Sequence, residues 1–284
     1  MTYEQLWRPL AQIYDEGEAK AVARMVLSER FGLSMADILC GRMEQLSANQ
    51  QQELALIQQR LLTYEPVQYV LGEADFGGRT FQVTPDVLIP RPETYELCQR
   101  VIGIEQTACV SLRRDPVTIL DIGTGSGCIA CTLAVELPKA EVTAWDISDD
   151  ALRIAGGNAR RLGAEVRFEK QDIRSAPDDH ERWDVIVSNP PYICEREKAQ
   201  MERHVLDYEP SLALFVPDDD PLLFYRCIGR YATQALKPGG YLLFEVNALY
   251  GGAVGNILKD LVFTDVTVYK DQFEKDRFVY AHKE

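Results

Sequence analysis

Asn189-Pro190-Pro191-Tyr192 is the stretch of this chain best equipped to do chemistry. Two consecutive prolines fix two φ angles and donate no N–H, so the backbone leaves on a stiff path and presents mainly acceptors, the Asn189 side-chain oxygen and nearby carbonyls. Tyr192 adds a flat aromatic face beside them. Acceptors next to a ring suit a planar guest that carries an NH₂, an amide or an aromatic amine, whose nitrogen would then be oriented for attack. A plain Pro-Pro turn after a strand is the competing account of the same four residues.

A second set of residues could hold the other reactant. Gly123-Thr124-Gly125-Ser126-Gly127 follows a β-branched run and precedes a helical pattern, the strand–turn–helix layout of a nucleotide-type pocket. Position 128 is Cys, so the spacing departs from Gly-x-Gly-x-x-Gly and counts against a pyrophosphate ligand. A tight turn alone would also explain these glycines. Asp146, at the end of the next strand candidate, can accept both hydroxyls of a ribose, although a helix cap or an exposed turn would use an aspartate there as well. Ser148 or Asp149 could cap the following helix and leave Asp146 freer for a ligand. Asp172 could accept from an adenine amino group with Ile173 packed on the ring, or serve as an ordinary loop acid.

These residues need a sheet to position them. Trp183 to Ser188 reads as a buried strand, Val117 to Ile122 as a β-branched run and Glu141 to Trp145 as a strand candidate, while Val166 to Phe168 leads to Asp172, so that each segment delivers one candidate at its carboxyl end. Lys237-Pro238-Gly239-Gly240 reads as a turn entering a strand from Tyr241 to Glu245. Leu261 to Tyr269 and Arg277 to His282 read as a final antiparallel pair at the sheet edge. The expected fold is therefore α/β, a doubly wound Rossmann-like sheet with an antiparallel edge. Before it, residues 1–75 read as a small helical bundle. Ser47 with Gln50 forms a capping box, Leu54, Ile57 and Leu61 recur at helical spacing, Ser34 and Asp37 start another helix, and Gly32 ends the one before. Phe76 to Val83 reads as a strand pair around Gly77-Gly78. The expected organisation is residues 1–75 helical, 76–95 hairpin and linker, and 96–284 catalytic.

Composition sets limits. The chain has 284 residues, 46% of them hydrophobic, enough for two ordinary cores. Its net charge is −14, shared by both parts, with 11 acids against 6 Lys and Arg in residues 1–75 and 33 against 24 in the rest. No basic stripe is present of the kind that grips a phosphate backbone, so no direct nucleic-acid partner is expected, and the acidity suits a basic protein partner. The seven cysteines are scattered, and Cys128 with Cys131 reads as a packing pair inside a helix. His180, His204 and His282 do not form a ligand cluster, and no metal is expected. No apolar leader or membrane-length stretch is visible, and the expectation is a monomeric protein of the reducing cytoplasm.

In order along the chain, the glycine loop, the two acids and Asn-Pro-Pro-Tyr resemble the S-adenosylmethionine-dependent methyltransferases that carry an Asp-Pro-Pro-Tyr or Asn-Pro-Pro-Tyr signature. Further segments narrow the likeness: Glu65-Pro66-Val67-Gln68-Tyr69-Val70-Leu71-Gly72, Leu88-Ile89-Pro90-Arg91-Pro92-Glu93-Thr94 and Tyr208-Glu209-Pro210-Ser211-Leu212-Ala213-Leu214. With these, residues 60–284 are similar to the release-factor glutamine methyltransferase family (PrmC/HemK). The resemblance implies methyl transfer from S-adenosylmethionine to the glutamine amide nitrogen in the Gly-Gly-Gln loop of class I peptide release factors. It implies that Gly123, Thr124, Gly125, Ser126 and Gly127 line the methionine part of the cofactor, that Asp146 holds the ribose, and that Asp172 and Ile173 flank the adenine. Asn189 and the Pro190 carbonyl would hold the glutamine amide, Pro191 and Tyr192 would flank it, and Arg91-Pro92-Glu93 would close over the cofactor unless it is simply a proline-rich linker. Two places depart from the family, which tends to have glycine near Val246 and near Asp271-Gln272-Phe273. A DNA adenine methyltransferase and a glutamine methyltransferase acting on a ribosomal protein share the signature and stay open as alternatives, as does a scaffold that only binds the cofactor.

Overall fold

The structure is a computed structural model; it describes residues 1–107, 116–271 and 273–284. Gln272, noted above, and Cys109, one of the seven cysteines, lie outside the described residues. The chain divides into two compact units, one made of Met1–Glu73 with Met201–Glu209, the other of Ala74–Gln200 with Pro210–Glu284. Elements are numbered in chain order.

The first unit contains α1 (Tyr3–Leu10), α2 (Glu16–Phe31), α3 (Met35–Leu39), α4 (Ala48–Leu61), α5 (Val67–Leu71) and α9 (Arg203–Tyr208). Its helix starts are written locally. Thr2, Ser34 and Ser47 each form a reciprocal capping box, which satisfies amide donors that the first turn leaves without partners. Gly32 closes α2 at φ +64. Leu54, Ile57 and Leu61 turn inward onto Leu6, Leu10, Val26 and Leu27 to form one apolar core. Segment Met201–Glu209 belongs to this unit, which the expected boundaries at residues 75 and 96 did not anticipate. The reason lies in its side chains: the Tyr208 hydroxyl donates to the Thr63 carbonyl at 2.8 Å, and the Arg203 guanidinium stacks over the Tyr64 ring.

In the second unit, β1 (Glu73–Phe76, its first residue at the boundary) and β2 (Arg79–Gln82) form a hairpin whose two-residue loop, Gly77-Gly78, has positive φ at both positions. The Tyr95 ring packs so closely on Gly77 that no Cβ would fit there. The hairpin therefore belongs with the second unit, and Pro92 begins a helix, α6 (Pro92–Thr107), rather than ending a linker. Then follow β3 (Thr118–Ile122), α7 (Cys128–Glu136), β4 (Glu141–Asp146), α8 (Asp149–Leu162), β5 (Val166–Lys170), β6 (Trp183–Ser188), β7 (Ile193–Cys194), α10 (Ser211–Leu214), β8 (Phe215–Val216), α11 (Leu223–Ala235), β9 (Leu236–Glu245), α12 (Gly251–Asp260), β10 (Thr264–Lys270) and β11 (Asp276–His282).

Seven of these strands form one sheet in the order β10-β11-β9-β6-β3-β4-β5. The run from β5 to β9 is parallel, and β11 and β10 add antiparallel strands at one edge. Lys237-Pro238-Gly239-Gly240 lies inside β9 as an irregularity rather than before it: the register with β6 jumps there, and Gly239 donates to the Lys283 carbonyl. The final helix α12 reaches Asp260, so the last hairpin starts at Thr264, later than the sequence suggested. Two apolar layers cover the faces. One gathers Leu120, Ile186, Phe244, Ile228 and Leu258; the other gathers Ile119, Val187, Ile129, Leu133 and Leu97. Strand order reverses at β3: β4 and β5 lie on one side of it, β6 and β9 on the other. In such sheets the loops after the strands flanking the reversal border a crevice. Here those loops are Gly123–Gly127 and Asn189–Tyr192.

Candidate active site

The loop after β3 turns at once because Gly123, Gly125 and Gly127 all have positive φ, at +75, +55 and +81. The amides of Gly123 and Thr124 both donate to the Trp145 carbonyl, which ties the loop to the end of β4. Gly127 is a packing glycine: a Cβ there would stand 3.0 Å from the Ala155 Cβ. Gly123 and Gly125 differ, since among the described residues no heavy atom outside the adjoining chain lies within 4 Å of where their Cβ atoms would be. That open space above bare backbone is what a ligand approaching the loop requires.

Asp146 closes the loop from the side. Its Oδ2 accepts from the Gly125 amide and its Oδ1 from the Ser148 amide, both at 2.9 Å. Each oxygen keeps a further lone pair, so the carboxylate is held in place and can still accept from two hydroxyls. Burial raises its pKa, while these amide bonds pull the other way. Ser148 caps α8 through the Ala151 amide, which frees Asp146 from that duty. Ile147, exposed between them, offers an apolar face beside the carboxylate.

Beneath the loop lies a group that sequence reading passed over. Asp121 on β3 is fully buried, and the Thr124 hydroxyl donates to its Oδ2 at 2.6 Å. Burial pushes this carboxyl up to about 7, against the pull of Thr124. The Ser126 hydroxyl is likewise buried, beside the Cys128 thiol.

Asp172 caps the short 3₁₀ turn Ile173–Ser175, and Arg174 engages both its oxygens at 2.8 to 3.0 Å. Arg174 holds this carboxyl below the usual aspartate range. Ile173 is buried among Ile122 and Trp145 in the core layer under that end of the sheet.

The second loop begins where β6 ends. Asn189 is half-buried, and its Nδ2 donates to the Thr94 hydroxyl at 3.2 Å. Thr94 donates in turn to Glu245 Oε2 at 2.7 Å, and the Tyr192 hydroxyl donates to Glu245 Oε1 at 3.3 Å. The Tyr225 hydroxyl holds the Glu245 backbone carbonyl at 3.1 Å. Burial pushes the Tyr192 phenol up. The electrostatic partners of the Arg91-Pro92-Glu93 segment lie at this corner, Arg91 acting on Tyr192 and Glu93 on Glu245. Neither departure from the family pattern disturbs the corner. Val246 is buried and donates to the Arg277 carbonyl; Asp271 caps the last hairpin through the Phe273 and Lys275 amides and pairs with Arg277 at 3.1 Å.

The structure thus joins the glycine loop to Asp146 in one group and Asn189 to Tyr192 in another, at the carboxyl ends of neighbouring strands β3, β4 and β6. Sequence reading missed Thr94, Glu245, Asp121 and Arg277, which carry no motif of their own as binding groups. A single acid inside each apolar strand, Asp121 and Glu245, was the available signal, because such a residue is rarely buried unless something holds it. Among the described residues no group of three or more His, Cys, Asp or Glu gathers as metal ligands would. No helix among them is long and apolar enough to cross a membrane. A cavity of about 620 Å³, lined by residues such as Arg30, Glu53, Leu56 and Arg60, belongs wholly to the first unit and contains none of these site residues.

Known proteins match in both parts. Residues 8–72 match the family described as PrmC N-terminal domain, and residues 110–207 match the Methyltransferase small domain family. A release factor glutamine methyltransferase of Bacteroides thetaiotaomicron is 47% identical, with 96% of each chain covered. One from Flavobacterium psychrophilum is 40% identical over 97% of this chain and 95% of its own. Among solved structures, the T. thermophilus 16S rRNA N2 G1207 methyltransferase, in complex with AdoMet and guanosine, aligns with TM-score 0.52 at 19% identity, covering 75% of this chain and 50% of that one. At that identity the likeness is one of fold.

Proposed function

This chain belongs to the release factor glutamine methyltransferase family, and from that premise we propose that it transfers the methyl group of S-adenosylmethionine to the side-chain amide nitrogen of the glutamine in the Gly-Gly-Gln motif of class I peptide release factors. The observation that carries the reading is the orientation of Asn189. Its NH₂ is turned to Thr94, so its oxygen is left to accept from a substrate NH₂.

S-adenosylmethionine, when bound, supplies an electrophilic sulfonium methyl. Gly123, Thr124, Gly125, Ser126 and Gly127 would take its methionine part, since the backbone above Gly123 and Gly125 is open. Asp146 would accept from its ribose hydroxyls, with Asp172 and Ile173 on the adenine side.

An amide nitrogen is a poor nucleophile because its lone pair is delocalised into the carbonyl. The protein's work is therefore alignment and charge handling. Asn189 Oδ1 and the Pro190 carbonyl accept the two NH₂ hydrogens and fix the nitrogen's direction. They also favour the positive charge that grows on nitrogen as it attacks. Pro191 and Tyr192 flank the amide and keep water from it, with Arg91 and Glu93 beside them. The helical unit recognises the protein substrate, the enzyme acts as a monomer in the cytoplasm, and no metal takes part. The acidity of the chain suits a basic protein partner better than a duplex.

The test supplies labelled S-adenosylmethionine together with a release factor, a ribosomal protein or duplex DNA. Label on the release factor glutamine is expected. Label on DNA alone overturns the assignment.

A further inference from the structure

The geometry points to Thr94 and Glu245 as positioning residues that set which way the Asn189 amide faces. The inference deepens the reading above and rests on it for the role of Asn189. Thr94 and Glu245 are 3% and 1% exposed, and they come from the first turn of α6 and the last residue of β9. Together with Asn189 they form a chain of two hydrogen bonds, Asn189 Nδ2 to Thr94 Oγ1 at 3.2 Å and Thr94 Oγ1 to Glu245 Oε2 at 2.7 Å.

The direction of that chain follows from counting hydrogens. An ionised carboxylate only accepts. Glu245 accepts from two hydroxyls, Thr94 on Oε2 and Tyr192 on Oε1. The single Thr94 hydroxyl hydrogen is thereby committed to Glu245, and its oxygen can only accept from Asn189. The atom of Asn189 that meets Thr94 must then be the NH₂, and Oδ1 is driven to the opposite side. An asparagine amide presents an acceptor and a donor of nearly the same shape, so packing alone would not choose between them. A flipped Asn189 would offer a donor to a substrate NH₂, two donors would face each other, and the substrate amide would lose its alignment.

The charge of Glu245 is what gives the relay its direction. Burial raises this carboxyl above the ordinary glutamate range, as does Glu93 on the first turn of α6; Thr94, Arg277 from β11 and the Tyr192 hydroxyl act in the opposite sense. Arg277 is itself held by Asp271. On the other side the Tyr225 hydroxyl of α11 donates to the Glu245 backbone carbonyl, and the phenol faces the Glu245 charge. A proton on Glu245 would let it donate to Thr94, release the Thr94 hydrogen towards Asn189, and permit the wrong amide face.

The experiment compares wild type, Thr94→Val and Thr94→Ser. Each is assayed for kcat and KM on a release factor and for S-adenosylmethionine affinity by calorimetry. Each is also examined for the solvent-exchange protection of the Asn189 side-chain NH₂ signals by NMR, which needs no turnover. Thr94→Val keeps the shape and loses both hydrogen bonds; kcat is expected to fall at least tenfold, with KM and cofactor affinity within about twofold of wild type. Thr94→Ser restores the hydroxyl and should return kcat to within about threefold, a rescue that a purely structural role for Thr94 would not produce. The Asn189 NH₂ protons should exchange slowly in wild type and Thr94→Ser and rapidly in Thr94→Val. Unchanged kcat in Thr94→Val, equal loss in both variants, or identical NH₂ protection in all three proteins overturns the relay. A wild type that labels no release factor yet shows the predicted NH₂ pattern overturns the substrate assignment and leaves the relay standing.

Discussion

Gly125 and Gly127 look interchangeable in the sequence, but a methyl group added to each should do different damage. Both have positive φ, +55 and +81. An alanine in that region costs about 1–2 kcal/mol, partly offset by the lower entropy of its unfolded chain, about 0.4–1 kcal/mol. At Gly125 nothing else is added, because among the described residues no heavy atom outside the adjoining chain stands within 4 Å of the new Cβ. The net loss of stability should be about 0–1.6 kcal/mol. At Gly127 the new Cβ would stand 3.0 Å from the Ala155 Cβ, 3.2 Å from the Ala155 Cα and 3.3 Å from the Cys131 Sγ. Two of those atoms are backbone or Cβ on α8, so α7 and α8 must move apart. Overpacking of that kind adds about 1–3 kcal/mol, and the total should reach about 1–5 kcal/mol. Cofactor affinity should show the reverse order. Gly125→Ala projects a methyl into the space left for the ligand and should weaken S-adenosylmethionine binding at least tenfold, about 1.4 kcal/mol. Urea unfolding of the free protein and calorimetric titration of the cofactor measure the two effects separately. If Gly125→Ala proved the more destabilising variant, or bound the cofactor as wild type does, the division between a packing glycine and a ligand-facing glycine would be refuted.

Other expectations follow from the same geometry. Asn189→Ala should lower kcat at least tenfold, about 1.4 kcal/mol of transition-state stabilisation, with cofactor affinity near wild type by calorimetry; unchanged turnover would remove Asn189 from the mechanism. Asp146→Asn keeps one acceptor but places an NH₂ against a backbone amide, so cofactor affinity should fall about tenfold or more while the far-ultraviolet spectrum stays the same. Asp121 titrates near 7 in the folded protein and at an ordinary aspartate value when unfolded. Between those values the native state holds more protons, so stability should fall as pH rises from about 4 to about 7, by up to about 4 kcal/mol, and level off above that. The urea midpoint of Asp121→Asn, compared with wild type across that range, should lack this part of the slope, and parallel profiles would refute the assignment.

Acidic side chains also mark where the two strand-end groups depend on burial. Asp184, at the opening end of β6, sits against Lys237 and the Thr118 hydroxyl at 2.7 and 2.8 Å. Burial raises its pKa, but those partners outweigh it and leave the carboxyl lower than usual. Asp121 and Glu245 have partners too, Thr124 for the one and Thr94, Arg277 and Tyr192 for the other, but burial outweighs them and both are pushed up. The difference separates an acid held low by its partners at the opening of β6 from two acids that burial raises beneath the candidate site.

Much of this protein is legible in short stretches of sequence, because a cap, a turn or a strand needs only neighbours along the chain. The Ser34 and Ser47 capping boxes, the left-handed glycine at 32, the strand from Trp183 to Ser188 and the Gly77-Gly78 hairpin loop are each decided within a few residues. The Asn-Pro-Pro-Tyr corner and the glycine loop are local in the same sense, and so is the cap at Ser148 that leaves Asp146 available. What the chain does not write locally is who meets whom across the sheet. Thr94 reaches Asn189 over 95 positions and Glu245 over 151. The pairing exists only because the turn into α6 and the ends of β6 and β9 arrive at one place. The packing of Met201–Glu209 against Thr63 and Tyr64 is of the same kind, as is the irregularity that draws Lys237-Pro238-Gly239-Gly240 into β9. Periodicity and turn chemistry report the conformation of a segment. The facing of an amide and the protonation of a buried acid depend on burial and on partners that only the folded sheet supplies.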